Sequence, residues 1–353
     1  MELLRSSQRS RTLHDTGQLT GESSHRTILE ESLLTDVGRC PIVAQHLERI
    51  LLAPAREMRA RPSHQFRSQL VEIGFRLVDG GHPDSRIEAN LALCGQSIEV
   101  LHLGSLIIDD IQDGSQSRRG SASLHRLIGV PHALGVGNWL YFYALRLLEN
   151  LELSAERKLQ LMQHYHRIVE WAHYGQVLDL CIKVDEVPWT EVAQICEQCL
   201  SGKTGSLVNL ALVMGAMIGG ATAKKIEAIG ELGRELGVYL QRWNDLGNVV
   251  SASEGDKRFE DLLSRKPSFV WAFVCKHYGE KGFKDFYAAV EQLPRTDSLE
   301  LWLDQNALAH HAGSWIEESF DTAIDRYLGE IAGAWHQLEA LGSLRERIRK
   351  AYV

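Results

Sequence analysis

Proline is scarce in this chain, 8 of 353 residues, and few stretches alternate apolar with polar side chains. Exposed strands need that period of two, so the composition favours long helices over sheet. A basic excess is also missing: 38 Lys and Arg against 46 Asp and Glu leave a net charge of −8. That balance argues against a dedicated nucleic-acid binder. No uncharged run reaches the roughly 20 apolar residues of a membrane span. One such run, Ser206 to Ala223, contains Asn209 and three glycines, and reads as a buried core helix. Stable membrane insertion is therefore not expected. The opening residues, MELLRSSQRSRTLHD, lack the continuous apolar stretch that secretion requires. A reducing cytoplasm fits the six cysteines. Cys196 and Cys199 form a CxxC, but no second Cys or His pair stands at zinc-finger spacing, and both read as ordinary helix cysteines.

What is present is enough for a core: 44% of residues are apolar and 24% charged, which excludes wholesale disorder. Residues 1–27 are rich in Ser and Arg without an apolar period and are expected to form a mobile arm. From there, over residues 28–353, apolar residues recur at spacings of three and four almost to the end. Breaks fall at Asp79-Gly-Gly-His-Pro83, Gly129-Val-Pro131, Glu186-Val-Pro188, Gly219-Gly220 and Leu293-Pro294, as helix connections do. No solenoid repeat or long linker divides the chain, so one all-α domain is expected.

The most informative stretch runs from Glu99 to Asp113, an apolar helix ending in Asp109, Asp110 and Asp113. Asp109 and Asp113 are four apart and share a face, where like charges repel. A helix C-terminus is also the wrong end for anions. Carboxylates gathered at the mouth of an apolar space suggest a hard cation such as Mg²⁺ bridging to a phosphate. Ser117-Arg118-Arg119-Gly120 follows, with His125 beyond it. Metal-binding carboxylates beside paired arginines suit a diphosphate, the guanidiniums taking the oxygens that the metal leaves. Taken alone the pattern is weak, and a loop of mutually neutralising surface charges is the competing explanation.

The order Glu99, His102, Ser105, Leu106, Ile107, Asp109, Asp110, Asp113, Ser115, Arg118, Arg119, Gly120, His125 resembles the first aspartate motif of the polyprenyl synthetase family, the trans-isoprenyl diphosphate synthases. Gly175-Gln176 with Leu178-Asp179-Leu180, then Lys203-Thr204-Gly205, then Gln241, are similar to further motifs of that family, and the likeness runs from roughly Ala60 to the C-terminal helices. The resemblance implies an isoprenoid-synthase-type helical bundle with a central apolar cavity. It implies a Mg²⁺-dependent prenyltransferase of isoprenoid biosynthesis, commonly a homodimer, coupling an allylic diphosphate to isopentenyl diphosphate. On this likeness Asp109 and Asp113 hold Mg²⁺ with Asp110 in support, and Arg118 and Lys203 contact the allylic diphosphate. Arg67, His102 and Arg119 match acceptor contacts.

Two stretches depart from the family pattern. Where the family carries DDxxD on a facing helix, this chain has Asn244-Asp245-Leu246-Gly247-Asn248. Asn244 and Asn248 share a face, and an amide oxygen can ligate metal without supplying charge, so Asn244, Asp245 and Asn248 remain the metal candidates there. His64 stands where the acceptor site would carry Lys. Lys257, Asp261 and Lys266 resemble a downstream phosphate-contacting segment, and Lys257 and Arg258 compete for one such contact. Asn at the first position also resembles class I terpene cyclases, although Asn248 and Ala252 do not complete that motif. Three readings stay open: prenyl coupling, an acceptor-free cyclase, and a non-catalytic subunit. Small Gly104 and Ser105 before the first motif suggest a pocket extending past C10, while Trp139, Tyr141 and Phe142 offer a floor.

Overall fold

Pro41 stands in the first turn of a helix, where a missing amide hydrogen costs nothing, and that helix, α1 (Pro41–Leu47), begins the described chain. The computed structural model describes residues 40–62, 66–78, 82–251 and 258–331, together with 342, 345 and 346. The chain clusters into two compact units, residues 1–61 and 62–353. In the first, a π-helical turn (Glu48–Leu52) joins α1 to α2 (Ala53–Ala60). Arg56 pairs with Glu48, and Arg61 Nε donates to Glu57 at 2.9 Å. The expected arm, residues 1–27, lies outside the described residues.

The described residues of the second unit are helical almost throughout. It runs α3 (Phe66–Arg76), α4 (Ser85–Gln112), a hairpin of β1 (Ser117–Arg118) and β2 (Ser121–Ala122), α5 (Leu124–Ile128), α6 (Val130–Glu149) and α7 (Ala155–Cys181). Then come α8 (Trp189–Leu200), a π-helical turn (Ser201–Gly205), α9 (Ser206–Ile218), α10 (Ala223–Val250), α11 (Glu260–Leu263), α12 (Phe269–Val290), α13 (Asp297–Gln305) and α14 (Leu308–Ile331). The three longest helices start on side-chain caps: Asp84 accepts from Ile87 N, Ser154 from Arg157 N and Thr222 from Lys225 N. Each cap contributes about 1 kcal/mol.

A helix apolar on every face has to be surrounded, and α9 is: nearly every residue in it is buried. It packs against α3, α4, α7 and α10. The one polar group in its middle, Asn209, is satisfied by donating to Gly230 O at 2.8 Å and meeting His164 Nε2 at 3.0 Å. The α4 helix is long and apolar enough by composition to cross a membrane, but in this fold it packs on α3, α6 and α9. Gly104 on α4 is small for a packing reason. A Cβ there would lie 3.0 Å from Gly137 O and from Leu140 Cβ, so its size lets α4 and α6 approach and does not lengthen the cavity. The expectation of a deeper pocket at that position is thereby corrected.

Candidate active site

The end of α4 supplies one wall of a cleft of about 1110 Å³, with α7, the π-helical turn, α10 and α11 contributing much of the rest. Two close backbone approaches set its shape. A Cβ on Gly175 would stand 2.4 Å from Lys203 N, and one on Gly202 would stand 2.7 Å from Gly175 Cα. Only glycine allows α7 to press on the turn this closely. The turn itself is π-helical, a local widening that often carries functional side chains, and it brings Lys203 and Thr204 into the cleft.

Lys203 and Lys266 each bridge two carboxylates. Lys203 Nζ lies 2.8 Å from Asp179 Oδ2 and 3.3 Å from Asp109 Oδ1. Lys266 Nζ lies 2.8 Å from Asp113 Oδ1 and 3.9 Å from Asp179 Oδ2. Burial works against charge on Lys203, yet Asp179 and Asp109 outweigh it and hold the ammonium above its ordinary value. Burial likewise opposes ionisation of Asp109, and is outweighed by Lys203, by the Gln176 hydrogen bond and by Arg118, which keep the carboxyl below its usual range. Gln176 Nε2 donates to Asp109 Oδ1 at 2.9 Å and to Gln112 Oε1 at 3.0 Å. Both groups are charged at neutral pH.

Asp110 faces elsewhere. It is 1% exposed, and its Oδ1 accepts from Arg118 Nε at 2.8 Å. The hairpin makes this possible: Arg119 and Gly120 both have positive φ, 53° and 78°, the backbone of a tight two-residue turn. Arg118 also reaches Asp109 Oδ2 at 3.3 Å. Asp110 thus positions Arg118.

Beyond the aspartates, Arg67 and His102 border the cleft. Burial, with Arg67, Arg119 and Arg118 acting on it, holds the His102 ring neutral by pushing its pKa well below the ordinary value. Three guanidiniums therefore act on one spot, and Ser68 N ties the Arg67 segment to α4 by donating to Glu99 Oε1 at 3.2 Å. His64 and Lys257 lie outside the described residues. Arg258, the rival of Lys257, is turned to Glu300 Oε1 at 2.8 Å and Val249 O at 3.1 Å, over the Phe259 ring.

On α10, Gln241, Asn244, Asp245 and Asn248 border the cleft. Asp245 is 3% exposed; its Oδ1 accepts from Gln241 Nε2 at 2.7 Å and its Oδ2 from Phe269 N at 2.8 Å. Gln241 is in turn held by Thr204 Oγ1, which donates to it at 2.7 Å. Asp261 also borders the cleft, and burial and the neighbouring carboxylates push both Asp245 and Asp261 upward. Leu101, Ile108 and Val169 also line the cleft, as do Tyr141 and His173, whose rings meet with centroids 5.4 Å apart. His173 Nδ1 contacts Val169 O at 2.8 Å, which fixes Nδ1 as the donor.

The sequence assigned no role to Asp179, Gln176 or His173, and placed Lys266 only within a segment resembling a phosphate-contacting stretch. The spacing of Gln176 and Asp179, three apart on one face, was the available signal for the first two. For Lys266 it was the downstream lysine segment.

An all-helical unit with converging aspartates, lysines and arginines above an apolar cavity defines the isoprenoid-synthase class of fold. The structure is similar to that of Trypanosoma brucei farnesyl diphosphate synthase, with a TM-score of 0.75 at 17% identity over 93% of this chain and 97% of that one. A geranylgeranyl pyrophosphate synthetase from Pyrococcus horikoshii gives 0.68 at 21% identity over 92% and 96%. Residues 48–298 match the polyprenyl synthetase family model, and the chain belongs to that family. It is 32% identical over 227 residues to geranylgeranyl pyrophosphate synthase 2 of Zymoseptoria tritici, covering 63% of each chain. It is 30% identical over 191 residues to geranylgeranyl diphosphate synthase of Methanosarcina mazei, covering 53% of this chain and 56% of that one. The aligned chain thus spans less than two thirds of the length of these curated relatives.

Proposed function

We propose that this chain is a prenyltransferase that ionises an allylic diphosphate and couples the prenyl group to isopentenyl diphosphate. One observation carries the reading: a single cleft joins two differently built anion-binding regions to apolar lining from Leu101, Ile108 and Val169. The first region, Asp109 and Asp113 with Lys203, Lys266 and Arg118, suits the allylic diphosphate. The second, Arg67 and His102 at the cleft with Arg119 acting on His102, suits a second diphosphate. A cyclase working on one diphosphate has no use for the second region, which favours coupling.

Asp109 and Asp113 offer hard carboxylate oxygens on one face of α4, a donor set that fits Mg²⁺. When bound, Mg²⁺ supplies Lewis-acid neutralisation of charge on the leaving diphosphate. The allylic C–O bond breaks with its electron pair going to the diphosphate, where Lys203, Lys266 and Arg118 stabilise the added charge. The acceptor double bond then forms the new C–C bond, and a proton leaves the acceptor carbon. Leu101, Ile108 and Val169 keep water from the cation.

The relatives named above as geranylgeranyl synthases support a C20 product. A homodimer belongs to the same proposal. Phe142 is 75% exposed on α6, and Trp171 and Val177 are exposed on neighbouring α7, an apolar surface suited to a second copy. The cytoplasmic assignment is supported by six free thiols. The test is product formation from farnesyl and isopentenyl diphosphates with Mg²⁺, with chelator, and in Asp109→Ala. Turnover that survives both chelator and the substitution contradicts the metal-dependent reading.

A further inference from the structure

This inference rests on the prenyltransferase reading and specifies where metal is held. We propose that the chain holds divalent metal from the α4 wall alone, and that Asn244 on α10 meets the diphosphate directly as an amide hydrogen-bond donor.

The α10 residues at the cleft are Gln241, Asn244, Asp245 and Asn248, and Asp245 is the one carboxylate among them. Its two oxygens are committed. Oδ1 takes the Gln241 amide at 2.7 Å, and Oδ2 takes Phe269 N at the start of α12 at 2.8 Å. Turning Asp245 toward a metal would strand a buried backbone N–H and the Gln241 amide, at a cost of about 1–3 kcal/mol for each. The Asn amides bring no charge with which to offset that cost. A dication is held mainly by the charge of its ligands, so the α10 wall does not fit one.

The same substitution gives α10 something a carboxylate lacks. An ionised Asp only accepts hydrogen bonds, whereas an Asn amide carries two N–H donors suited to a phosphate oxygen. The remaining carboxylates in the neighbourhood do not rebuild a metal site on that side. Asp179 is already bridged by Lys203 and Lys266. Asp261 stands on α11 beside Glu260; Lys266 and Lys203 already act on it, and of the carboxylates that press on it Asp179 is bridged and Asp245 is committed. Positive charge facing α4 across the cleft is therefore fixed charge, Lys203 and Lys266, and does not depend on a metal.

The test counts Mn²⁺ ions bound per full-length chain at saturating inorganic pyrophosphate, from the free Mn²⁺ signal in electron paramagnetic resonance. Wild type, Asn244→Asp, Asn248→Asp, Asn244→Ala, Asp261→Asn and Asp109→Asn are compared, with circular dichroism confirming each fold. Asn244→Asp is expected to raise the count by one, because it adds the missing charge at the cleft. Asn244→Ala and Asp261→Asn are expected to leave the count unchanged while Asn244→Ala weakens pyrophosphate binding several-fold. The proposal is overturned if Asn244→Ala or Asp261→Asn loses an ion. It is equally overturned if neither folded Asp variant gains one. An unchanged count in Asp109→Asn overturns it as well, whereas failure of the prenyltransferase reading shows separately, as wild type that forms no prenyl product while its Mn²⁺ counts behave as expected.

Discussion

Lys203 Nζ stands between two helices, 2.8 Å from Asp179 on α7 and 3.3 Å from Asp109 on α4. One ammonium on a π-helical turn thus couples the proposed metal-binding wall to the opposite side of the cleft. Lys203→Met removes that charge while keeping the aliphatic length. Turnover is expected to fall by about 100-fold or more, the scale of losing one charge-stabilising donor in a water-poor site. Leaving Asp179 and Asp109 without it is expected to cost about 1–3 kcal/mol of stability. Steady-state kinetics beside a urea denaturation curve measures both, and a loss of turnover under about threefold would contradict the assignment.

Adjacent aspartates are expected to fail in different ways. Asp110 is buried against Arg118, whereas Asp109 points into the cleft. Asp110→Ala leaves Arg118 without its Nε acceptor, so the expected effect is a loss of about 1–3 kcal/mol of stability with weaker substrate binding. Asp109→Ala is expected to abolish turnover with a much smaller change in stability. Denaturation midpoints compared with kcat and KM separate the two, and identical profiles would contradict the division of roles.

Tyr141→Ala removes a ring that lines the cleft and meets His173. Prenyl products longer than those of wild type are expected, read by mass spectrometry after phosphatase treatment. An unchanged product length would move the floor to other residues.

The thiols divide by burial. Cys40 and Cys181 are exposed; Cys94, Cys196, Cys199 and Cys275 are buried. Burial pushes the Cys94, Cys199 and Cys275 thiols up to about 12, Cys199 being raised further by Asp179, so they remain protonated at pH 8. A thiolate-selective reagent is expected to label two cysteines quickly in the native protein and all six after denaturation. Fast labelling of a third native thiol would contradict the packing around α8.

Much of the helical fold is legible in the sequence because its signals are local. The three-and-four spacing and breaks such as Gly219-Gly220 act within a turn or two of chain. Asp109 and Asp113 are legible for the same reason, since their spacing places them on one face. Gly104 misleads because small size has two causes, a widened cavity or a close helix crossing, and only the partner at Gly137 and Leu140 distinguishes them. The π-helical turn and the Gly175–Gly202 approach, which aim Lys203, join residues far apart in sequence and leave no periodic trace. Lys266 reaches Asp113 across 153 residues of chain, so its ion pair cannot be read from spacing.

The most direct measurement is product analysis with Mg²⁺ and each allylic diphosphate from C5 to C20, run with and without isopentenyl diphosphate. A longer prenyl diphosphate that forms only when isopentenyl diphosphate is supplied is the expected result. A hydrocarbon or alcohol from the allylic diphosphate alone, with no elongated product when the acceptor is added, would contradict the account.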